Sequence, residues 1–183
     1  MAAPVRAWAA NLHHFWFHEL KPRDWWRGSA KVDSACRQFE PLVMALHTRP
    51  PHEFLDDPRT ALSGVLLFDQ IPRNIWRNNA CAFAFDPLAR ELVQAATSRG
   101  FAGALSRPER QFLFMPLMHS EAIADQNESL MRFARLGRGY GFPFARSHAR
   151  MIRRFGRFPH RNQLLGRTST PAEKRAVEAG FSW

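Results

Sequence analysis

Residues 106–137 read SRPERQFLFMPLMHSEAIADQNESLMRFARLG. Ser106 and Glu109 stand three apart, the spacing of a capping box, in which each side chain satisfies an orphan backbone N–H of the other. The helix opened there is expected to run to about Leu136, with Gly137 and Gly139 as its stop and a kink at Pro116, where proline deletes a backbone bond. On that helix Glu121 and Asp125 fall one turn apart on one face, continued by Glu128 and Arg132. His119 is offset toward Ile123 and Gln126. Two carboxylates a turn apart can bind a metal with histidines or act as acid and base. They can equally receive arginines from elsewhere, because buried charges are generally paired.

The rest of the chain repeats this grammar. Pro4 to Leu20 carries Trp8, Leu12, Phe15 and Trp16 at helical spacing and ends at Pro22. His13, His14 and His18 lie close together without a further ligand type nearby, so a metal site is not expected. Residues 30–48 continue with Val32, Cys36, Phe39, Val43 and Leu46, and Pro41 predicts a kink or restart. Asp57-Pro58 and Asp86-Pro87 open two further helices. The first reaches Asp69 and ends or bends at Pro72, and the second stops at Gly100. Phe142 to Phe155 is amphipathic, with Ala145, His148, Ile152 and Phe155 on the apolar face and Arg146, Arg150, Arg153 and Arg154 on the polar one. A lone inward histidine such as His148 is most often a satisfied core residue. Thr170 and Glu173 form a second capping box for a short helix ending at Gly180. No segment alternates with period two between turns, so no strand is predicted. The fold class is all-α, a single domain of antiparallel helix pairs.

Composition bounds the function. The 183 residues are 45% hydrophobic, with 16 Phe and 6 Trp, enough for a sizeable core. The formal charge is +10, and of the basic residues only Lys21, Lys31 and Lys174 are lysine. From Ser129 to Ala172 there is no acid but a long run of arginines. That could mark a nucleic-acid face. Without a recognisable binding motif it reads instead as arginines paired with earlier acids or solvated. Cys36 and Cys81 make neither a disulfide framework nor a redox pair. No apolar run is long enough for a secretory signal or a membrane span, so a soluble cytoplasmic protein is expected. There is no phosphate-binding glycine loop, no nucleophile elbow and no zinc spacing.

The second informative stretch is FGRFPHRNQLLGRTST, residues 155–170. Gly156, Pro159 and Gly166 predict a shaped loop. Its Arg157, His160, Arg161, Asn162 and Arg167 need partners if buried, and a ligand or acids are the candidates. It is expected to meet DQIPRNIWR, residues 69–77, and HSEAIADQ, residues 119–126, with Arg157 or Arg161 approaching Glu121 or Asp125. In DQIPRNIWR, Asp69 sits one turn before Arg73, and Arg73 and Arg77 share a face if a helical turn follows Pro72. Ile71-Pro72-Arg73-Asn74 also echoes Phe158-Pro159-His160-Arg161-Asn162, which suits a repeat-like helical stack.

LLFDQIPRNIWR, ACAFAFDPLAR, RPERQFLFMPLMHSEAIADQ and RFGRFPHRNQLLGRTSTPAE, in that order, resemble the bacterial domain of unknown function 924 family from about Trp16 to Glu173. The resemblance implies an all-helical, tetratricopeptide-like fold and no established reaction. It also implies the polar motif residues: Asp69, Gln70, Arg73, Asn74, Arg77, Asp86, His119, Glu121, Asp125, Gln126, His148, Arg157, His160, Arg161, Asn162 and Arg167. Ala122 stands where the family pattern has a second acid, which weakens any two-carboxylate mechanism.

Three functions remain open. One is a pocket for a small polar or anionic ligand, with arginines as the grip and His119, His160 and Glu121 as the catalytic candidates if a reaction occurs. Asp69, Gln70, Arg73, Asn74, Arg77, Asp125, Gln126, His148, Arg157, Arg161, Asn162 and Arg167 would then be binding residues, with no metal or cofactor. Another is a helical interaction module for a protein partner, its polar cluster being structural. The third, a nucleic-acid binder, ranks last, and no specific nucleic acid or membrane partner is expected.

Overall fold

All regular structure among the described residues, 6–26 and 28–181, is helical in this computed structural model. The expected helix start at Pro4 lies outside them. The chain divides into two units, Met1–Pro116 and Leu117–Trp183, and each is taken by itself.

The first unit is built around α4 (Pro58–Val65). Asp57 caps it as predicted, accepting from the N–H groups of Arg59 and Thr60. From Thr60 through Val65 every residue is buried, so α4 is covered all round. On one side lies α1 (Ala7–His14), whose Ala9 carbonyl takes the Ser63 hydroxyl at 2.9 Å. On the other lies α6 (Asp86–Ser98). Gly64 permits that approach, because a Cβ there would lie 3.1 Å from Leu92 and 3.2 Å from Phe54.

The helix does not end at Pro72. It passes through a π turn, Leu66–Gln70, into α5 (Ile71–Ile75). The Ile71 N–H reaches back to Leu66. A widened turn just before Pro72 makes room for a residue that lacks an N–H and crowds the carbonyl four residues back. Pro41 acts as a restart: α2 (Ala30–Cys36) passes through a 3-10 turn into α3 (Glu40–Leu46). The N-terminal aromatics close on Phe112 of α7 (Arg107–His119), whose ring meets Trp16, Phe17, Trp25 and Trp26 at 5.2–5.7 Å.

The single long helix expected over residues 106–136 is two helices. Pro116 lies within α7, and the chain breaks after His119 to restart as α8 (Ile123–Leu136). The break is specified by side chains the helical pattern does not reveal. Ser120 takes the Ala122 N–H on its hydroxyl and gives its own proton to Asp125 at 2.6 Å. The Gln126 amide donates to the carbonyls of Met118 and Ser120 at 2.7 and 2.6 Å. Buried Gln126 thus serves carbonyls that a helix end leaves open. Gly137, Gly139 and Gly141, all at positive φ, turn the chain into α9 (Phe142–Phe155), which packs on α8.

Gly156 ends α9 in the left-handed region, and the following loop holds one 3-10 turn, Pro159–Arg161. Then α10 (Pro171–Glu178) begins with the predicted capping box, both halves formed. Met151, Ile152, Phe158 and Ala176 form a core, with Phe155 and Phe181 against it. Burying a side chain such as Phe158 fully contributes roughly 1.5–3 kcal/mol.

Candidate functional site

In the first unit the polar motif residues surround Arg73. Its guanidinium lies 3.1 Å from Asp69 and 2.9 Å from Asp86, and also donates to the Asp69 carbonyl at 2.6 Å. Asp69 is fully buried and the Arg73 side chain is 19% exposed. Burial alone would lower the Arg73 pKa; the two carboxylates outweigh it and hold the cation firmly. Gln70 donates to Asp69, and the Asn74 amide donates to the Gln70 carbonyl. The i, i+4 reading of Asp69 with Arg73 therefore holds.

Arg77 touches this cluster only through Asn74. Past the end of α5 it forks onto Asp33 at 2.9 and 2.7 Å and bonds Asn74 at 3.1 Å. Asp33 was not among the expected site residues, and nothing in its own stretch announces the pairing. Gly28 leaves room for this guanidinium: a Cβ there would lie 2.6 Å from its central carbon. Cys36 is buried, and burial, then Asp33, pushes its thiol up to about 12, so it is inert; Cys81 is exposed. His13 pairs with Glu109 at 2.6 Å, and Glu109 also takes the N–H and hydroxyl of Ser106. Among the described residues no group of His, Cys, Asp and Glu could hold a metal ion, and no helix is long and apolar enough to cross a membrane.

In the second unit Glu121 lies in the break between α7 and α8. It does not share a helical face with Asp125, which is buried and tied to Ser120. Both Glu121 oxygens accept from Arg167 Nη1 at 2.9 Å, and Oε1 also takes the Phe158 N–H at 2.8 Å. Burial opposes its ionisation, but these bonds and the Arg161 charge hold it below the usual carboxylate range. The expected approach of the 155–170 loop to HSEAIADQ is thus present, but Arg167 makes the contact.

Arg157 goes instead to Glu173, at 2.7 and 3.0 Å, and to the Thr168 carbonyl. Glu173 is 2% exposed. Arg157 first, then the Thr170 backbone and hydroxyl and Asn162, bring its pKa down to about 2 against burial. Glu173 escaped notice as a site residue because its capping-box position already explained it. Asn162 is fully buried and bonds Ser169 at 3.0 Å. Arg161 lies over the Phe158 ring at 4.6 Å.

His148 is inward, as its helical position predicts. Its Nδ1 faces the Phe144 carbonyl at 2.8 Å, so the neutral ring carries its proton there. Burial, then the nearby His119, lowers its pKa to about 3. The His119 ring, half-buried at the end of α7, stands 6.1 Å away. His160 is half-buried beside Phe158. With Arg167, Lys174, Gln163 and Ser169 it lines an open cleft of about 420 Å³, which Glu178 and Val177 also border. Lys174, Gln163 and Glu178 are exposed and Ser169 is half-buried, and nothing in their sequence pattern marks them as site residues.

These features define an all-helical protein in which Arg73, Arg77, Arg157 and Arg167 each meet carboxylates of the chain. The chain belongs to the family of bacterial proteins of unknown function DUF924, whose model matches residues 12–180. It is similar to a solved structure of a protein of unknown function from Agrobacterium tumefaciens, at 36% identity and TM-score 0.89, covering 95% of this chain and 98% of that one. No curated protein matches it.

Proposed function

We propose that the protein binds a small anionic ligand in the cleft bordered by His160, Arg167 and Lys174. The observation that carries this is the state of Arg167. One nitrogen, Nη1, serves both oxygens of Glu121, while Nε and Nη2 bond to no protein group among the described residues. Glu121 fixes the guanidinium, leaving two donors beside a cleft whose size falls within the usual range for small-ligand sites. Lys174 adds a second cation, Gln163 and Ser169 add neutral polar groups, and Glu178 can accept from a ligand hydroxyl or amine. In this reading Glu121 positions Arg167, and His160 is the group placed for proton transfer if a reaction takes place there.

The test is thermal unfolding with inorganic phosphate, citrate and a nucleoside monophosphate, on the wild type and on His160→Ala and Lys174→Ala. A ligand at a hundredfold excess over its Kd stabilises by about 2.7 kcal/mol. The expected result is a rise in Tm with at least one anion, lost in both variants while their unliganded Tm is kept. No rise with any of the three, or equal rises in the variants, would refute the cleft.

A second reading is favoured by a separate observation. Arg73, Arg77 and Arg157 each end on carboxylates of the protein. On this reading those clusters fix helix register, and the protein works as a helical interaction module.

A further inference from the structure

A groove of the second unit lies away from that cleft. It has a volume of about 730 Å³ and runs between α8 and α9. Leu130, Met131 and Ala134 of α8 and Phe142 of α9 form its apolar surface. Arg146, Arg150, Arg153 and Arg154 form its edge. With Phe142 they recur at four, eight, eleven and twelve residues, a single stripe along α9. From Phe142 to Arg154 the stripe spans about 18 Å at 1.5 Å per residue.

The charge on this edge is not answered within the second unit. Residues 117–183 hold five acids against twelve arginines and lysines. Glu121 is taken by Arg167, Glu128 by Arg132, Glu173 by Arg157, and Asp125 is bonded by Ser120. Glu178 borders the other cleft. Arg153 bonds the neutral Asn127, and Arg154 lies over the Phe155 ring at 5.0 Å. Arg146 and Arg150 make no ion pair among the described residues and are exposed. The apolar side is open as well: Met131 is 56% exposed.

We propose that this groove docks an acidic amphipathic helix of a partner protein, with apolar side chains on Leu130, Met131 and Phe142 and glutamates or aspartates against the four arginines. Two observations select that occupant together. The arginine edge demands negative charge, which alone would admit nucleic acid or an anionic membrane. The open apolar surface demands apolar side chains, which a sugar-phosphate backbone lacks, and a single half-buried ring, Phe142, is a poor platform for stacked bases. A groove rather than a protruding apolar face suits a helix better than a flat bilayer surface. About three turns of helix match the length of the stripe, and methionine adapts its shape to varied side chains.

The test uses the full chain and a fluorescein-labelled synthetic peptide of about 18 residues. Its leucines sit at i, i+3, i+4 and i+7 with glutamates flanking them, and a scramble of the same composition breaks that spacing. Anisotropy should show saturable binding that weakens with salt but persists at about 0.15 M. The scramble should bind on the order of tenfold more weakly, as should the Arg146→Glu/Arg150→Glu double variant and, separately, Met131→Glu. These are exposed positions, and circular dichroism checks that each variant is folded. Equal binding of the scramble, or unchanged binding by Met131→Glu, overturns the proposal. So does tighter binding of a uridine 20-mer or of phosphatidylserine vesicles in the same buffer, which would assign the arginines to nucleic acid or lipid instead.

Discussion

Lowering the pH should unload stability through His148, and the size of the loss follows from its surroundings. The ring is 4% exposed, and burial first, then His119, Arg161 and His160, disfavour a charge on it, while the Phe144 carbonyl opposes them. Its folded pKa is about 3 against an ordinary 6.5. Between those values the unfolded chain carries a proton on this residue and the folded chain does not, so stability rises with pH there. The contribution is complete above about 6.5, declines as pH falls and stops declining near 3. Going from about pH 7.5 to 5.5 should cost about 1 kcal/mol, and to about 4.5 about 3 kcal/mol, at 1.36 kcal/mol per unit. The assay is urea unfolding followed by circular dichroism across that range, for the wild type and for His148→Gln, which keeps a donor for the Phe144 carbonyl but cannot titrate. The other ionisable groups are common to both chains, so the difference between the two profiles isolates His148. The wild type should lose stability more steeply than the variant by those amounts. Parallel profiles from pH 7.5 to 4.5, or a His148 ring titrating near 6.5 by nuclear magnetic resonance, would refute the reasoning.

The other expectations are narrower. Asp86→Asn removes one of two carboxylates from a guanidinium that is 19% exposed, and breaking such a pair costs about 3 kcal/mol; a change below about 0.5 kcal/mol in urea would contradict the assignment. Thr170→Ala removes the hydroxyl that accepts the Glu173 N–H at 3.2 Å and should cost about 1 kcal/mol, read as faster amide exchange confined to the first turn of α10. Glu173→Gln should lower stability at neutral pH, and because the carboxyl is depressed to about 2, the deficit relative to wild type should shrink as pH falls from about 4.5 through 2. Gly28→Ala should be nearly silent, within about 1 kcal/mol, because the exposed tip of Arg77 can swing away; a mapped loss of the Arg77–Asp33 pair with little change in Tm is the expected signature.

Helix existence was legible where the sequence carried paired local signals. Asp57-Pro58 and Thr170 with Glu173 each name a start by chemistry confined to four residues, and both caps are formed. The π turn before Pro72 and the break at residues 120–122 were not legible from periodicity, for a physical reason. The apolar pattern continues across both places, and what decides them is hydrogen bonding. At Pro72 a widened turn accommodates the missing N–H, and Ser120, Asp125 and Gln126 together make a helix end self-sufficient. The spacing of HSEAIADQ predicts one face of a helix. The same residues, once the helix ends, point Glu121 toward the 155–170 loop instead. At the level of the cluster, charge balance correctly required acids for the loop arginines. It could not choose among them, because Arg157, Arg161 and Arg167 are chemically alike and which one reaches Glu121 depends on the path of the loop, which turns left-handed at Gly156 and Gly166.

The second unit therefore separates its arginines by what they meet. Arg132, Arg157 and Arg167 meet carboxylates of their own unit, and these cations come from α8 and from the loop whose glycine turns bring it against Glu121 and Glu173. Arg146, Arg150, Arg153 and Arg154 stand on α9 one after another with an apolar strip beneath them. An unbranched run of like charges on a helix is self-repelling and adds nothing to the fold by itself. No carboxylate among the described residues of the second unit is paired with it, and the proposed peptide would supply some. Arginine is the side chain suited to such use, since its planar donors grip carboxylates in pairs and its charge never titrates away. The pH sensitivity expected of His148 gives this an internal control. His148 lies on the opposite, buried side of α9 from Arg146 and Arg150. A peptide bound at the groove should therefore protect α9 from acid unfolding without altering the tautomer that His148 presents to Phe144.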